Sequence, residues 1–542
     1  MEASLVSAWP VPPFLLFRIP DALFALFPFV VLVGLMLKGW SAARAAAVAV
    51  ALALVIAWSP AFGDELAAGD TRSYATAGSL AEAAFTALTI LWIVFGALCL
   101  YHLQNISGGF ETIRDRLAGL TSDPRLVAIL IAWFFAMFME GAAGFGTPVA
   151  LAAPLLVGLG FRPIEAVAIA LLGHAVAVSF GAVGTPVIPQ VAMTGLTELS
   201  ISRATSLLHG LLGWFMVLTV VFLAGRAAGQ RGSPRAWAWA VIAGVAFVVP
   251  YLLIAWLVGP ELPSLLGAAI GGGVVVLLLR RLGSGEGPLA VGDPEPSVRV
   301  QPSKESSRNP GEPPPGLLRS GAPYLVLIVL VLLTRLVPPV EDAARAIELS
   351  WTFGDRFAGS FEPLYHPGTL LMAAFVISGP IQRQRPEVFR EAVWKAARQL
   401  APVSIALLGT LTLARLMVHS EMIETLAVAA ADNLGVLWPL AAPFVGVLGT
   451  FATGSATASN ILFTEFQAST ADQLDLRLET MVGAQGFGAA AGNVIAPHNI
   501  IAGSATVGLK GQEGPILRRT AIPCLIYAAM GGALTFALTR LL

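Results

Sequence analysis

Two stretches decide how this chain is read: Glu140-Gly141-Ala142-Ala143-Gly144-Phe145-Gly146-Thr147-Pro148, and, in the second half, Thr453-Gly454-Ser455-Ala456-Thr457-Ala458-Ser459-Asn460. Both break apolar runs with glycine and small polar residues. Each has a companion break further on, Gly181-Ala182-Val183-Gly184-Thr185-Pro186-Val187-Ile188-Pro189-Gln190 in the first region and Gly486-Phe487-Gly488 then Gly492-Asn493-Val494-Ile495-Ala496-Pro497-His498-Asn499 in the second. Gly144 and Gly184 are 40 residues apart, Gly454 and Gly492 are 38. Unwound backbone in hydrocarbon is tolerated only where it is buried in protein or lines a wet cavity, so paired breaks of this kind mark a cavity.

The surrounding sequence says that hydrocarbon is the right solvent to consider. Of 542 residues 56% are apolar and 12% charged, against about a quarter charged in soluble proteins, and the mean hydropathy is +0.78. An ordinary soluble enzyme is excluded. With 32 Lys and Arg against 33 Asp and Glu, there is no basic field to hold nucleic acid. Cys99 and Cys524 sit in apolar runs and imply neither a disulfide framework nor a metal site; no cofactor is expected. Apolar runs of spanning length occur at Asp21 to Leu37, Ala45 to Trp58, Leu80 to Tyr101, Leu207 to Ala224, Trp237 to Val258 and Leu265 to Leu279, then at Tyr324 to Val337, Thr369 to Ile381, Ala401 to Val418 and Ala521 to Leu538. Met1 to Pro20 has Arg18 as its one cation and does not read as a cleaved signal. The expectation is an all-α, multi-pass protein of the cell membrane with about 12 to 14 transmembrane segments.

Cations cluster at Lys38 and Arg44, Arg114 to Arg125, Arg226 to Arg235, Arg280 to Arg319, Arg383 to Arg398 and Lys510 to Arg519. The positive-inside rule makes these cytoplasmic and the acidic connections, with Asp64, Glu65 and Asp70, with Glu261, and with Glu341 to Glu362, external. Residues 283–321, rich in Gly, Pro and Ser, read as a flexible cytoplasmic linker between membrane halves 1–282 and 322–542.

On this charge map the first interrupted region starts inside and the second outside. That is the pattern of an inverted-topology repeat built from broken or re-entrant helices, with its substrate site near the midplane. Half-helix N-termini offer free N–H groups and a positive dipole end, so a carboxylate can be held there without a fixed cation. Gly144, Gly146, Gly184 and Thr185 at the first pair of breaks, and Thr147, Ser455, Thr457, Ser459, Asn460 and Asn493 as hydroxyl and amide partners, are the candidate binding residues. Close packing of helices on small residues is the competing reading of the same glycines.

At these residues the chain resembles the lactate permease family of secondary transporters. The likeness is carried by Glu140 to Gly146, Leu156-Val157-Gly158-Leu159-Gly160-Phe161, Phe180-Gly181-Ala182, Gly259-Pro260-Glu261-Leu262-Pro263 and Val507-Gly508-Leu509-Lys510-Gly511. It implies uptake of L-lactate, D-lactate and glycolate with protons, in a lipid bilayer. Three positions depart from the family pattern: Ala456 replaces a frequent acidic residue, His174 a frequent Asn and His498 a frequent Gln. The exact 2-hydroxy acid and the coupling ion, H⁺ or Na⁺, stay open, as does assembly into a homo-oligomer.

An ionisable group inside an apolar region is a functional candidate by default. Glu140 is the expected proton carrier, with a structural carboxylate at the Gly-rich turn as the alternative. His174 is a second proton-coupling candidate, and His498 a binding one because it lies in a break. Arg415 either binds carboxylate bidentately or serves structure, by snorkelling or by pairing with Glu421 or Glu424. Moving a monoanion inward against 100 mV costs about 2.3 kcal/mol, a cost that one accompanying proton removes, so symport is the expected mode. An intramembrane enzyme would need a motif such as HExxH or Gly-x-Ser-x-Gly, and neither is present. A passive channel would need a filter ring or lining charges.

Overall fold

The computed structural model describes residues 15–59, 62, 71–118, 120–121, 123–144, 146–229, 234–282, 316–354, 356–509 and 512–541. The linker's 283–315, the acidic Asp64, Glu65 and Asp70, Phe145, Arg231 and Lys510 lie outside them. Helices α1 (Leu15–Leu37), α2 (Ala42–Ala57), α3 (Arg72–Ile106) and α4 (Gly109–Ala118) lead into the first interrupted region. This region comprises α5 (Pro124–Ala142), α6 (Thr147–Gly158), α7 (Pro163–Gly173) and α8 (Ile188–Thr194). Then come α9 (Glu198–Leu212), α10 (Trp214–Ala227), α11 (Pro234–Leu257) and α12 (Pro263–Leu282).

Beyond residue 315, α13 (Leu317–Leu336) and α14 (Pro338–Arg345) precede a hairpin of β1 (Leu349–Phe353) and β2 (Phe357–Phe361), antiparallel with Trp351 opposite Gly359. Helices α15 (Pro367–Gln382), α16 (Pro386–His419) and α17 (Met422–Leu434) follow. The second interrupted region is α18 (Trp438–Thr453), α19 (Ala456–Gln473), α20 (Leu478–Gly492) and α21 (Pro497–Thr506), and α22 (Glu513–Leu541) ends the chain.

Among the described residues eight helices are long and apolar enough to span a bilayer, or ten if each of two bent pairs is one broken span, and four shorter apolar helices accompany them. Side chains such as Val55, Leu88, Leu257, Ile405 and Ile522 are exposed on these helices, as a lipid-facing surface requires. The chain is a multi-pass membrane protein. Two expectations change in detail. The run Leu207 to Ala224 is bent by 42° between α9 and α10, and α16 extends the run at Ala401 back to Pro386, so that Arg390, Lys395 and Arg398 ride on the helix. The two-stranded hairpin was not legible as strand in an otherwise helical chain.

Helices far apart in the chain interleave: α3 packs against α15 and α16, and a Cβ at Gly96 would lie 2.8 Å from the Leu371 Cβ. With α13 these helices enclose one buried core containing Leu98, Leu103, Tyr324 and Leu371. A second core, with Trp133, Phe247, Tyr251, Phe487 and Tyr527, joins α5, α9, α11, α20 and α22. The first set of helices forms a frame beside the second, which carries the breaks.

Candidate functional site

Each interrupted region has the same plan: helix, glycine tip, helix, four-residue turn, helix, break, half-helix. The turns are Leu159 to Arg162 and Leu474 to Arg477. Both half-helices carry proline in their first turn, Pro189 in α8 and Pro497 in α21, where its missing N–H costs nothing. At the tips Gly146 and Gly454 adopt left-handed φ of +79° and +75°, conformations that an L side chain resists.

The two regions embrace reciprocally, since α8 packs on α19 and α21 packs on α6. Asn460 Nδ2, at the start of α19, donates to Pro186 O at 2.9 Å, just before α8. Further along, Arg415 touches Glu465 of α19 at 3.4 Å and donates to Ala192 O of α8 at 3.5 Å. Hence α8 and α19 run in the same direction. By the same logic α6 runs with α21, because Gly146 faces Asn499 and Val149 faces Gly503. This crossed pairing, in which each half-helix lies alongside the helix that follows the other region's tip, is the packing an inverted repeat of broken helices produces.

Three helix N-termini converge as a result. A Cβ at Gly146, preceding α6, would lie 3.4 Å from Asn499 Oδ1 in the first turn of α21, and one at Gly454, beside the start of α19, 2.9 Å from the His498 Cβ. Ser455 caps α19, its Oγ accepting from Ala458 N at 3.4 Å. Neither α6 nor α21 has a side-chain cap; Pro148 and Pro497 carry no N–H, and Thr147 N and Asn499 N bond Gly144 O and Ala496 O. What these starts offer an anion is chiefly the positive end of the helix dipole and the remaining N–H of the first turn, such as that of His498. Gly146, Gly454 and Ser455 are half-buried and His498 is exposed, whereas Glu140, Thr147, Thr457 and Asn493 around them are buried.

Behind the tips lies a chain of polar contacts. The Glu140 carboxyl is wedged against Gly181, where any Cβ would collide with Oε1, and Oε2 is 3.9 Å from His174 Nε2. His174 ends α7; its Nδ1 bonds Ala170 O at 2.7 Å and its Nε2 meets Asn493 Oδ1 at 3.3 Å. Because a carbonyl only accepts, Nδ1 carries the hydrogen; Nε2 of the neutral ring can then accept from a protonated Glu140, and it donates to Asn493 Oδ1 only once it has taken up a proton. Asn493 O in turn accepts from Asn499 Nδ2 at 3.1 Å, which closes the path back to Gly146. Two backbone distortions aim this group. α5 widens into π turns over Ile129–Phe135, and Ala182 and Val183 hold left-handed φ of +43° and +56°, a strained state for a β-branched residue.

The sequence candidates therefore fall into three places. Glu140, Gly144, Gly146, Thr147, His174, Ser455, Asn493 and His498 surround the tips, with Thr457 in the first turn of α19. Ser459 and Asn460 belong to a buried network beneath the second tip. There Ser459 Oγ donates to Gly446 O at 2.9 Å, and Gln485 Nε2 reaches Ser459 Oγ at 3.2 Å while its Oε1 accepts from Gln467 at 3.3 Å. Gly184 and Thr185 shape the break, since a Cβ at Gly184 would sit 2.9 Å from Pro260 O and Thr185 Oγ1 donates to Ala182 O at 2.5 Å. Arg415 lies by the C-terminal turn of α8, between Glu82 at 3.5 Å and Glu465 at 3.4 Å. Gln485 and Asn499 escaped sequence reasoning. An amide among glycines and alanines in a buried helix was the available signal.

A family model described as L-lactate permease matches residues 21–358 and 347–542. Glycolate permease GlcA of Escherichia coli K12 is 30% identical over 478 residues, covering 82% of this chain and 84% of the relative. L-lactate permease of Salmonella typhimurium is 29% identical over 538 residues, covering 94% and 93%, and that of Bacillus subtilis 28% identical over 489, covering 84% and 85%. Among solved structures, the Neisseria gonorrhoeae MtrF efflux pump aligns over 93% of this chain and 96% of its own with a TM-score of 0.49 and 13% identity, and the Alcanivorax borkumensis YdaH transporter over 85% and 86% with 0.47 and 15%. The family match spans both inverted regions and the frame around them, and the chain belongs to the L-lactate permease family.

Proposed function

We propose that this protein takes up lactate and related small 2-hydroxy monocarboxylates such as glycolate across the cell membrane, each anion accompanied by a proton. The observation that carries the reading is the meeting of three helix N-termini, those of α6, α19 and α21, at the tips of the two hairpins. Such a site suits one carboxylate, held by helix dipoles and backbone N–H groups without a fixed cation. Ser455 and Asn499 supply further partners for carboxylate and 2-hydroxyl oxygens. Relatives named for lactate and for glycolate support a site defined by the shared 2-hydroxy acid group.

Proton coupling rests on Glu140 and His174. The neutral His174 Nε2 can take a proton from the protonated Glu140 carboxyl 3.9 Å away after a small side-chain rotation, which leaves an ion pair in place of two neutral groups. Asn493, bonded to His174 and to Asn499, links that change to the anion site. Alternating access follows from movement of the break-bearing helices against the frame. In domain terms, 1–282 and 322–542 each contribute one inverted repeat, joined by 283–321.

The test is uptake of labelled L-lactate into reconstituted vesicles, with mono- and dicarboxylates as competitors. Competition by glycolate and not by dicarboxylates, with accumulation following an imposed pH gradient, is the expected result. Accumulation that follows a sodium gradient at matched pH would replace the coupling ion, and competition by dicarboxylates alone would replace the substrate class.

A further inference from the structure

A second group of titratable side chains lies apart from the tips, where the frame meets the site helices. His419 Nε2 is 2.8 Å from Glu82 Oε2, Arg415 Nε is 3.5 Å from the same Glu82 oxygen, and Arg415 Nη1 is 3.4 Å from Glu465 Oε1. All four side chains are between 11% and 19% exposed. Two carboxylates face one guanidinium, so with a neutral imidazole the cluster carries one uncompensated negative charge. Burying such a charge is unfavourable, and one proton shared by His419 and Glu82 removes it.

The cluster also has a route to water. His419 lines a small cleft, with a volume of about 20 Å³, together with Ser420, Ser79, Thr76, Arg72 and Trp58. The cleft lies at the end of α16 next to the β-hairpin, whose Phe357 packs edge-on against the His419 ring with centroids 4.9 Å apart. From the elements packed around this end of α16 the charged groups are Arg72 and Glu82 of α3, Glu465 of α19, Glu421 and Glu424 at the start of α17, and Arg356 on the β-hairpin; the adjacent end of α2 brings none.

We propose that the Glu82 and His419 pair is a second proton-binding site, loaded through this cleft, whose occupancy sets how firmly Arg415 ties the site helices to the frame. Glu82 and Arg415 belong to the frame, on α3 and α16, whereas Glu465 and Ala192 O belong to α19 and α8 beneath the tips. When His419 is protonated it takes over Glu82, and the Arg415 guanidinium turns to Glu465 and Ala192 O. When the proton leaves, Glu82 draws Arg415 back and the tie loosens. The inference rests on the proton-symport reading above and adds a control point to it.

His419→Gln and Glu82→Gln, each retaining a hydrogen-bonding group, test it in reconstituted vesicles by two readouts. One is the initial rate of lactate uptake as a function of pH, between about pH 5 and 8. The other is exchange of labelled for unlabelled lactate at equal pH on both sides. The proposal expects His419→Gln to lose one protonation step, worth up to about tenfold per pH unit, while exchange stays within about twofold of wild type. A pH profile that overlies the wild type overturns it, as does exchange falling in parallel with uptake, which is the mark of a purely structural tie. If Glu82→Gln does not fold, His419→Gln decides the matter. A wild-type protein indifferent to pH would instead remove the symport reading itself.

Discussion

Replacing Gly454 by alanine perturbs the second tip and the start of α21 that faces it. The Gly454 φ of +75° costs an L residue about 1–2 kcal/mol. The new Cβ would stand 2.9 Å from the His498 Cβ, which lies next to the backbone and cannot swing aside, and overpacking of this kind adds about 1–3 kcal/mol. The body of the hairpin is pinned by Trp438, Gln467, Gln485 and Ser459, so the strain of about 2–5 kcal/mol is relieved by displacing the tip and the first turn of α21. Half of the lower bound, appearing in ligand affinity, is a loss of about fivefold, and the whole of it about thirtyfold. The assay is the apparent affinity for L-lactate in vesicles holding equal amounts of folded protein. Gly273→Ala is the control, because a Cβ there meets nothing within 4 Å. Wild-type affinity in Gly454→Ala would refute the claim that this tip touches substrate.

Three further outcomes follow from the same geometry. Glu140→Gln keeps the shape of the carboxyl but not its proton: with the interior one pH unit more alkaline and no potential, the wild type should concentrate lactate about tenfold and the variant not at all, whereas pH-driven accumulation by the variant would remove Glu140 as carrier. Arg335 donates through Nε to the fully buried Glu261 at 2.8 Å and holds Tyr365 O at 3.2 Å, so Arg335→Ala strands a buried charge at about 3–5 kcal/mol. Loss of folded protein in detergent, restored by adding Glu261→Gln, is expected, and unchanged stability of the single variant would contradict the pairing. Arg415→Ala should lower stability by leaving Glu82 and Glu465 uncompensated while apparent lactate affinity holds; a large drop in affinity at normal stability would return Arg415 to the substrate site.

The inverted architecture was readable in the spacing of glycines and the placement of cations, because hydrocarbon punishes unpaired backbone and lipid potentials sort charge. The tips were readable for the same reason: Gly144, Gly146 and Gly454 have to be glycine where the chain turns left-handed. What the sequence hid depends on contacts between distant segments. For Arg415 the sequence offered the nearby Glu421 or Glu424 as partners, whereas the ion pairs are with Glu82 and Glu465, 333 and 50 positions away. Asn499 looked like a neighbour of His498 and proved to face Gly146 across the repeat boundary. The interleaving of α3 with α15 and α16 was equally invisible, since long apolar helices carry no record of which neighbour they choose.

The central claim is that the first tip meets the half-helix of the other repeat, and Gly146 and Ala502 allow it to be measured. Their Cβ positions stand 3.8 Å apart across the two repeats, the separation of a disulfide, and the native Cys99 and Cys524 are buried and free. Oxidising the Gly146→Cys/Ala502→Cys double variant in membranes should give an intramolecular cross-link, detected as a protease-resistant linkage between the two halves. Two thiols that each react with a maleimide but never join to one another would contradict the account.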